Sequence, residues 1–192
     1  MLDKSKLYEL YIHKVYGETP YLDPYDLEAN ELEDRSFNLE WSNTEGSKLP
    51  VVKEVLYANN VINIHENAAE GRIEHYFISK NKPFTFAEFT LVPYNNGIQF
   101  KNVWNHSTLG KGLARWAVFN YYLVKYPFVI SDRTHTNAGK NYWEKLISEA
   151  LSKKYKVFVI YNKQEQQIYS TEEAEEYYFY SKPGNYRFKI SK

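Results

Sequence analysis

The segment from Ile98 to Leu146, IQFKNVWNHSTLGKGLARWAVFNYYLVKYPFVISDRTHTNAGKNYWEKL, leaves the chain little freedom, because it reads as strand, glycine turn, helix, strand, turn and helix with almost no spare residues. Ile98 to Asn105 alternates as a half-buried strand does, and Leu113 to Tyr126 places Leu113, Trp116, Ala117, Asn120, Tyr121 and Val124 on or near one helical stripe, which Pro127 ends. Phe128 to Ser131 is a short continuous apolar run of the kind found in buried parallel strands, and a helical crossover returns the chain in the direction that parallel pairing needs. A βαβ unit is therefore expected. Thr136 to Gly139 makes the next turn and cap, and Tyr142, Leu146, Ile147 and Ala150 line a second helix up to about Lys153. At the centre, Gly110-Lys111-Gly112 opens the first helix. The first N–H groups of a helix lack internal partners and point outward, so this turn is a candidate anion cradle.

Upstream, the chain reads as a meander. Val51 to Ala58 and Val61 to His65 are β-branched runs separated by Asn59-Asn60, although the first reads equally as a helix end. Arg72 to Ser79, Phe84 to Val92 and Ile98 to Asn105 follow, with turns at Lys80–Pro83 and Pro93–Gly97, and three antiparallel strands are expected. The period of two places Phe84, Phe86 and Glu88 on one face and Thr85, Ala87, Phe89 and Leu91 on the other. Glu88 is the best-placed acid of the meander for proton transfer; a solvated edge carboxylate is its plainer reading. Downstream, Lys156 to Asn162 is a buried strand, and the acidic Glu172 to Glu176, YYFYS, Pro183-Gly184 and YRFKIS give one or two late strands closed by a turn. The fold class expected is α/β, an α+β mixed sheet in which an antiparallel meander is followed by βαβα.

The N-terminal part differs. Leu2 to Tyr16 has helical spacing and Gly17 stops it, whereas Glu18 to Pro50 carries prolines and acids and reads as loop around a short helix near Asp26. Residues 1–50 hold 5 basic and 11 acidic side chains, so the neutral chain has an acidic N-terminal extension beside a basic remainder. A single domain of 192 residues with 43% hydrophobic content is expected. No cysteine is present, which excludes a disulfide framework, a thiolate nucleophile and cysteine-ligated metal. His13, His65, His75, His106 and His135 have no close metal-ligand spacing, and no metal site is expected. No apolar run approaches the roughly 18 residues that span a bilayer, and the first residues lack a signal-peptide pattern, so no membrane role and a reducing, cytoplasmic location are expected. Nineteen tyrosines fit either a biased base composition or a rigid, amphipathic surface for a protein partner. No dense basic-aromatic cluster marks nucleic-acid binding.

An antiparallel meander feeding into a glycine turn, helix, parallel strand and helix resembles the GNAT superfamily of acyl-CoA N-acyltransferases over Phe84 to Ile160. In that family the strand before the turn splays from its neighbour and its backbone holds the pantetheine arm, while a turn of pattern Q/R-x-x-G-x-G/A binds the pyrophosphate. The pattern falls here on Ser107-Thr108-Leu109-Gly110-Lys111-Gly112, with both glycines present and Ser107 in place of the leading Gln or Arg. The segment Ser131 to Leu146 is similar to GNAT-like proteins of bacteriophages, where a Ser-Asp after the strand precedes a Thr, a Gly and a Trp-x-x-Leu helix, which implies a viral origin. Aligned on Glu144-Lys145-Leu146, Trp143 stands where the family often has its acid-donating tyrosine, with Tyr142 one place before it. Thr136 takes the asparagine slot, or Asn137 does if the turn is one residue shorter.

The resemblance implies an acyltransferase that takes acetyl-CoA or another acyl-CoA and acylates an amine. Val103, Trp104 and Asn105 would lie beside the pantetheine, with Gly110, Lys111, Gly112, Leu113 and Ala114 around the pyrophosphate. Acyl transfer needs a base for the ammonium, a donor for the oxyanion and an acid for the thiolate. The strand Ile98 to Asn105 holds no Asp or Glu, the usual base position. His106 at its end can serve as base and Tyr142 as acid, with Glu88 a further candidate; His106 as a surface residue and Tyr142 as core are the plainer readings. The alternative function is a catalytically inactive interaction or virion-associated protein on the same fold.

Overall fold

Two of the hairpins follow from asparagine turns. Ala58 and Asn59 both have positive φ (46° and 64°), as do Asn162 and Lys163 (48° and 66°), which is the pattern of type I′ turns whose twist matches that of the flanking strands. The structure, a computed structural model, describes residues 45–69, 71–81, 84–106, 110–133, 137–180 and 186–192. The expected first helix at Leu2 to Tyr16, the short helix near Asp26, Ser107 and Thr136 lie outside the described residues.

Among the described residues, a 3₁₀ turn, Gly46–Lys48, precedes β1 (Val51–Tyr57), β2 (Asn60–Ala69), β3 (Arg72–Ser79), β4 (Thr85–Tyr94) and β5 (Gly97–Asn105). The helix α1 has three parts: an α-helical start, Leu113–Ala117, a π-helical turn, Val118–Tyr122, and an α-helical end, Leu123–Lys125. β6 (Phe128–Ile130), α2 (Asn137–Ser152), β7 (Lys156–Tyr161), β8 (Gln164–Ile168), α3 (Thr171–Tyr180) and β9 (Tyr186–Ser191) complete the order. The strands form one mixed sheet in the order β1-β2-β3-β4-β5-β6-β9-β7-β8. The fold is thus α+β, rich in strands and with few helices, and the parallel step expected after the crossover is present between β5 and β6.

By packing, the chain divides into two compact units, one of Met1–Ala68, Glu74–Phe89 and Val103–Ala114, the other of Ala69–Ile73, Thr90–Asn102 and Arg115–Lys192. In the first, Ile62, Ile64, Phe77, Phe86 and Phe89 are buried, and the rings of Phe77 and Phe89 pack 5.2 Å apart. In the second, Phe100 meets Tyr122 edge-on at 5.0 Å, among buried Ile98, Val129, Leu146, Val157 and Phe188. β9 enters between β6 and β7 and pairs antiparallel with both, Ile190 facing Val129 on one side and Val157 on the other. Ser131 extends that junction: its Oγ accepts from the Phe188 N–H at 2.9 Å, and its own N–H donates to the Phe188 carbonyl at 2.8 Å.

Three expectations are corrected. The buried stripe of α1 is Leu113, Ala114, Ala117, Val118, Phe119, Tyr121, Tyr122 and Leu123, while Asn120 and Val124 are exposed. A π turn holds more than 3.6 residues, so it rotates every later side chain off the regular stripe. YYFYS begins within a helix, not a strand, since α3 starts with acids in its first turn, Ser170 Oγ accepts from the Glu173 N–H at 3.3 Å as an N-cap, and Ala174 is buried. Glu88, read as an edge carboxylate, stands on β4, an interior strand, and is half-buried.

Candidate functional site

Every residue expected near the cofactor, Val103 to Asn105 and Gly110 to Ala114, falls in the first unit, where β5 ends and α1 begins. The approach to the turn is held by the backbone. His106 N–H donates to the Phe86 carbonyl on β4 at 2.8 Å, Gly110 N–H donates to the His106 carbonyl at 3.0 Å, and Leu113 N–H to the Gly110 carbonyl at 2.8 Å. This places Gly110 so close to β4 that a Cβ there would lie 2.4 Å from the Phe86 carbonyl oxygen. Its glycine is required by protein packing. Gly112 differs: its φ is +82°, a left-handed conformation that side chains resist.

Two side chains finish the turn. Asn105, the last residue of β5, accepts from the Ala114 N–H through Oδ1 at 3.3 Å and donates from Nδ2 to the His106 carbonyl at 3.2 Å, so it caps the helix start from outside the local sequence. Tyr57, the last residue of β1, donates its hydroxyl to the Lys111 carbonyl at 2.6 Å and sits over Gly112. Lys111 itself is exposed, and among the described residues its N–H and that of Gly112 carry no partner. Leu113 and Ala114 are buried, and their N–H groups are taken by the Gly110 carbonyl and by Asn105 Oδ1. At the start of α1 the turn thus presents two N–H groups without a partner among the described residues and the exposed Lys111 side chain.

His106 lies beside this turn among aromatic rings, with Phe84 edge-on at 4.8 Å and Trp104 perpendicular at 6.3 Å. Burial lowers its pKa below the ordinary 6.5, because losing water disfavours the imidazolium. At neutral pH it is an uncharged imidazole, the form that accepts a proton. The indole N–H of Trp104 is enclosed and finds no acceptor among the described residues. Val103 is half-buried next to it.

Tyr142 and Trp143 belong to the second unit, as does Arg115. Burial pushes the Tyr142 phenol above its ordinary range, a nearby Arg115 opposes that and Glu149 reinforces it. Glu149 holds Arg115 at 3.3 Å and Lys153 at 2.8 Å. Trp143 is buried with its ring 6.3 Å from Phe100, so it is a core residue. The structure therefore groups His106 with the glycine turn in one unit and places Tyr142 in the other.

One residue escaped the sequence reasoning. Asp132 Oδ1 accepts from Gln99 Nε2 at 3.0 Å, Lys101 Nζ at 2.8 Å and its neighbour Arg133 N–H at 2.8 Å, just where the parallel pairing of β5 and β6 ends. That pairing consists of Ile98 with Val129 and Gln99 with Ile130. The Ser-Asp motif was its only trace in the sequence. The chain matches no protein-family model and no curated protein.

Proposed function

We propose that the protein is a GNAT-like N-acyltransferase that binds an acyl-CoA through the turn at Gly110–Gly112 and acylates an amine. The observation that carries this reading is the turn itself: Gly112 at φ +82° opens α1 directly after β5, with the Lys111 and Gly112 N–H groups and the Lys111 ammonium available to a pyrophosphate. A second feature supports it. β5 runs on to Asn105 although its parallel register with β6 covers only Ile98 and Gln99, as expected of a strand whose backbone groups serve a ligand.

In this reading His106 takes a proton from the attacking ammonium. The amine nitrogen then bonds to the thioester carbonyl carbon, the carbon–sulfur bond breaks with its electron pair going to sulfur, and the thiolate takes up the second proton, which the nitrogen loses on becoming an amide. Burial suits His106 to the first step, since it keeps the imidazole neutral. The alternative is an interaction protein on an inactive version of this fold, favoured by the Asn105 cap and the Tyr57 hydroxyl, which already occupy groups of the turn. Thermal unfolding separates the two. A ligand that binds only the native state stabilises it by about 2.7 kcal/mol at a hundredfold excess over its dissociation constant, so acetyl-CoA raises the unfolding midpoint in a concentration-dependent way. A midpoint indifferent to acetyl-CoA contradicts the acyltransferase reading and leaves the inactive one.

A further inference from the structure

Near the end of β5, Trp104 holds its indole N–H enclosed, and that donor meets no acceptor among the described residues. An indole nitrogen can only donate, so the group waits for an acceptor brought to it. Leaving such a donor enclosed and unpaired costs about 1–3 kcal/mol, and a catalytic role is one of the established reasons for a fold to keep it.

The surroundings of Trp104 are those of a dry reaction site. Trp104 and His106 are two residues apart, which sends both side chains to one side of an extended backbone, and their rings stand perpendicular with centroids 6.3 Å apart. Phe84 meets His106 edge-on at 4.8 Å and Phe86 at 5.3 Å, and Phe86 is buried. A hydrogen bond made against these rings is screened less than one made in water and is correspondingly stronger. All four residues belong to the first unit, together with the glycine turn.

We infer that Trp104 is the oxyanion donor of the proposed acyl transfer, its indole N–H bonding the thioester carbonyl oxygen while His106 serves the amine. This role rests on the acyltransferase reading. The attacking nitrogen and the carbonyl oxygen share one carbon, so base and donor must be neighbours, as His106 and Trp104 are. When the nitrogen bonds to that carbon, the carbonyl π electrons move onto oxygen, and they return to re-form the carbonyl as the carbon–sulfur bond breaks. The indole keeps its own proton throughout and acts only on the charge that develops on oxygen. Trp104 is half-buried, so its ring has an open side from which it can turn the N–H toward an entering thioester, and catalytic hydrogen bonds commonly tighten only in the complex.

The test is the indole N–H resonance of Trp104 in the full chain, assigned by its absence from Trp104→Phe and followed by NMR during titration with acetyl-CoA. CoA, which has the same pyrophosphate and pantetheine but no thioester carbonyl, is the parallel arm. Both ligands should move the Gly112 amide resonance, whereas the indole resonance should move saturably to lower field with acetyl-CoA and stay near its starting position with CoA. Trp104→Phe keeps an aromatic ring and removes the donor, so it should bind acetyl-CoA about three- to tenfold more weakly, as the loss of one hydrogen bond does, with its affinity for CoA unchanged. An indole resonance that stays still while the Gly112 amide moves, an equal indole response to both ligands, or a Trp104→Phe variant that loses the same affinity for both ligands or none for acetyl-CoA would overturn the role of Trp104 alone. A Gly112 amide that neither ligand moves would overturn the acyl-CoA reading and this role with it.

Discussion

A Cβ on Gly110 would press on the Phe86 carbonyl, whereas a Cβ on Gly112 meets only the Tyr57 hydroxyl at 3.0 Å and is resisted by φ instead. The two glycines read alike in the sequence, as a cradle for phosphate, yet only Gly112 and its neighbour Lys111 face outward. Gly110→Ala should therefore cost about 1–3 kcal/mol of stability in urea unfolding, as overpacking does, without a direct effect on any ligand. An unchanged midpoint would show that the turn relaxes away from β4. Neither the Asn105 cap nor the Tyr57 contact was legible, because both join residues whose meeting depends on the register of strands. His106 brings a pH dependence of known sign. Its folded pKa is depressed by burial, so between that value and the ordinary 6.5 the unfolded chain binds more protons, and stability falls as the pH drops through this window. His106→Gln should lose less stability than the parent over the same acid range in denaturant titrations; parallel losses would remove His106 as their source.

At the scale of elements, strands with a clear period of two were read almost to the residue: β3 was expected at Arg72 to Ser79 and is found there, and β5 differs by one residue. What failed were features without a local signature. The π turn in α1 looks like ordinary helix in a residue pattern, yet it decides that Val118 and Phe119 are buried and Val124 is 63% exposed. α3 is rich in tyrosine, a residue favoured in strands, and its cap and first-turn acids outweighed that preference. The clasp of Asp132 on Gln99 and Lys101 joins the ends of β5 and β6, whose register stops after two residue pairs. Asp132→Ala would leave the amide of Gln99, a residue 6% exposed, without this acceptor, at a cost of about 1–3 kcal/mol, while the half-exposed Lys101 pair adds little. The measurement is chemical denaturation. A loss below a few tenths of a kcal/mol would mean that water replaces the carboxylate.

For the whole molecule, the order of elements from β3 to β7 was legible because each step is local: hairpin, hairpin, crossover, crossover. The placement of β9 between β6 and β7 was not, since nothing near Tyr186–Ser191 states which strands it will join. Its alternation of buried Tyr186, Phe188 and Ile190 says only that one face is covered. Among the described residues no helix is long and apolar enough to cross a membrane. The proposed function rests on one helix start rather than on the whole sheet, and it requires that this turn bind an acyl-CoA. Isothermal calorimetry with acetyl-CoA on the full chain tests this directly, with Lys111→Glu as the partner variant because its exposed side chain can change without disturbing the core. The account predicts saturable heat with the parent protein and binding weakened by about tenfold, or about 1.4 kcal/mol, in Lys111→Glu. No heat of binding at millimolar acetyl-CoA, or equal affinity in the two proteins, would contradict it.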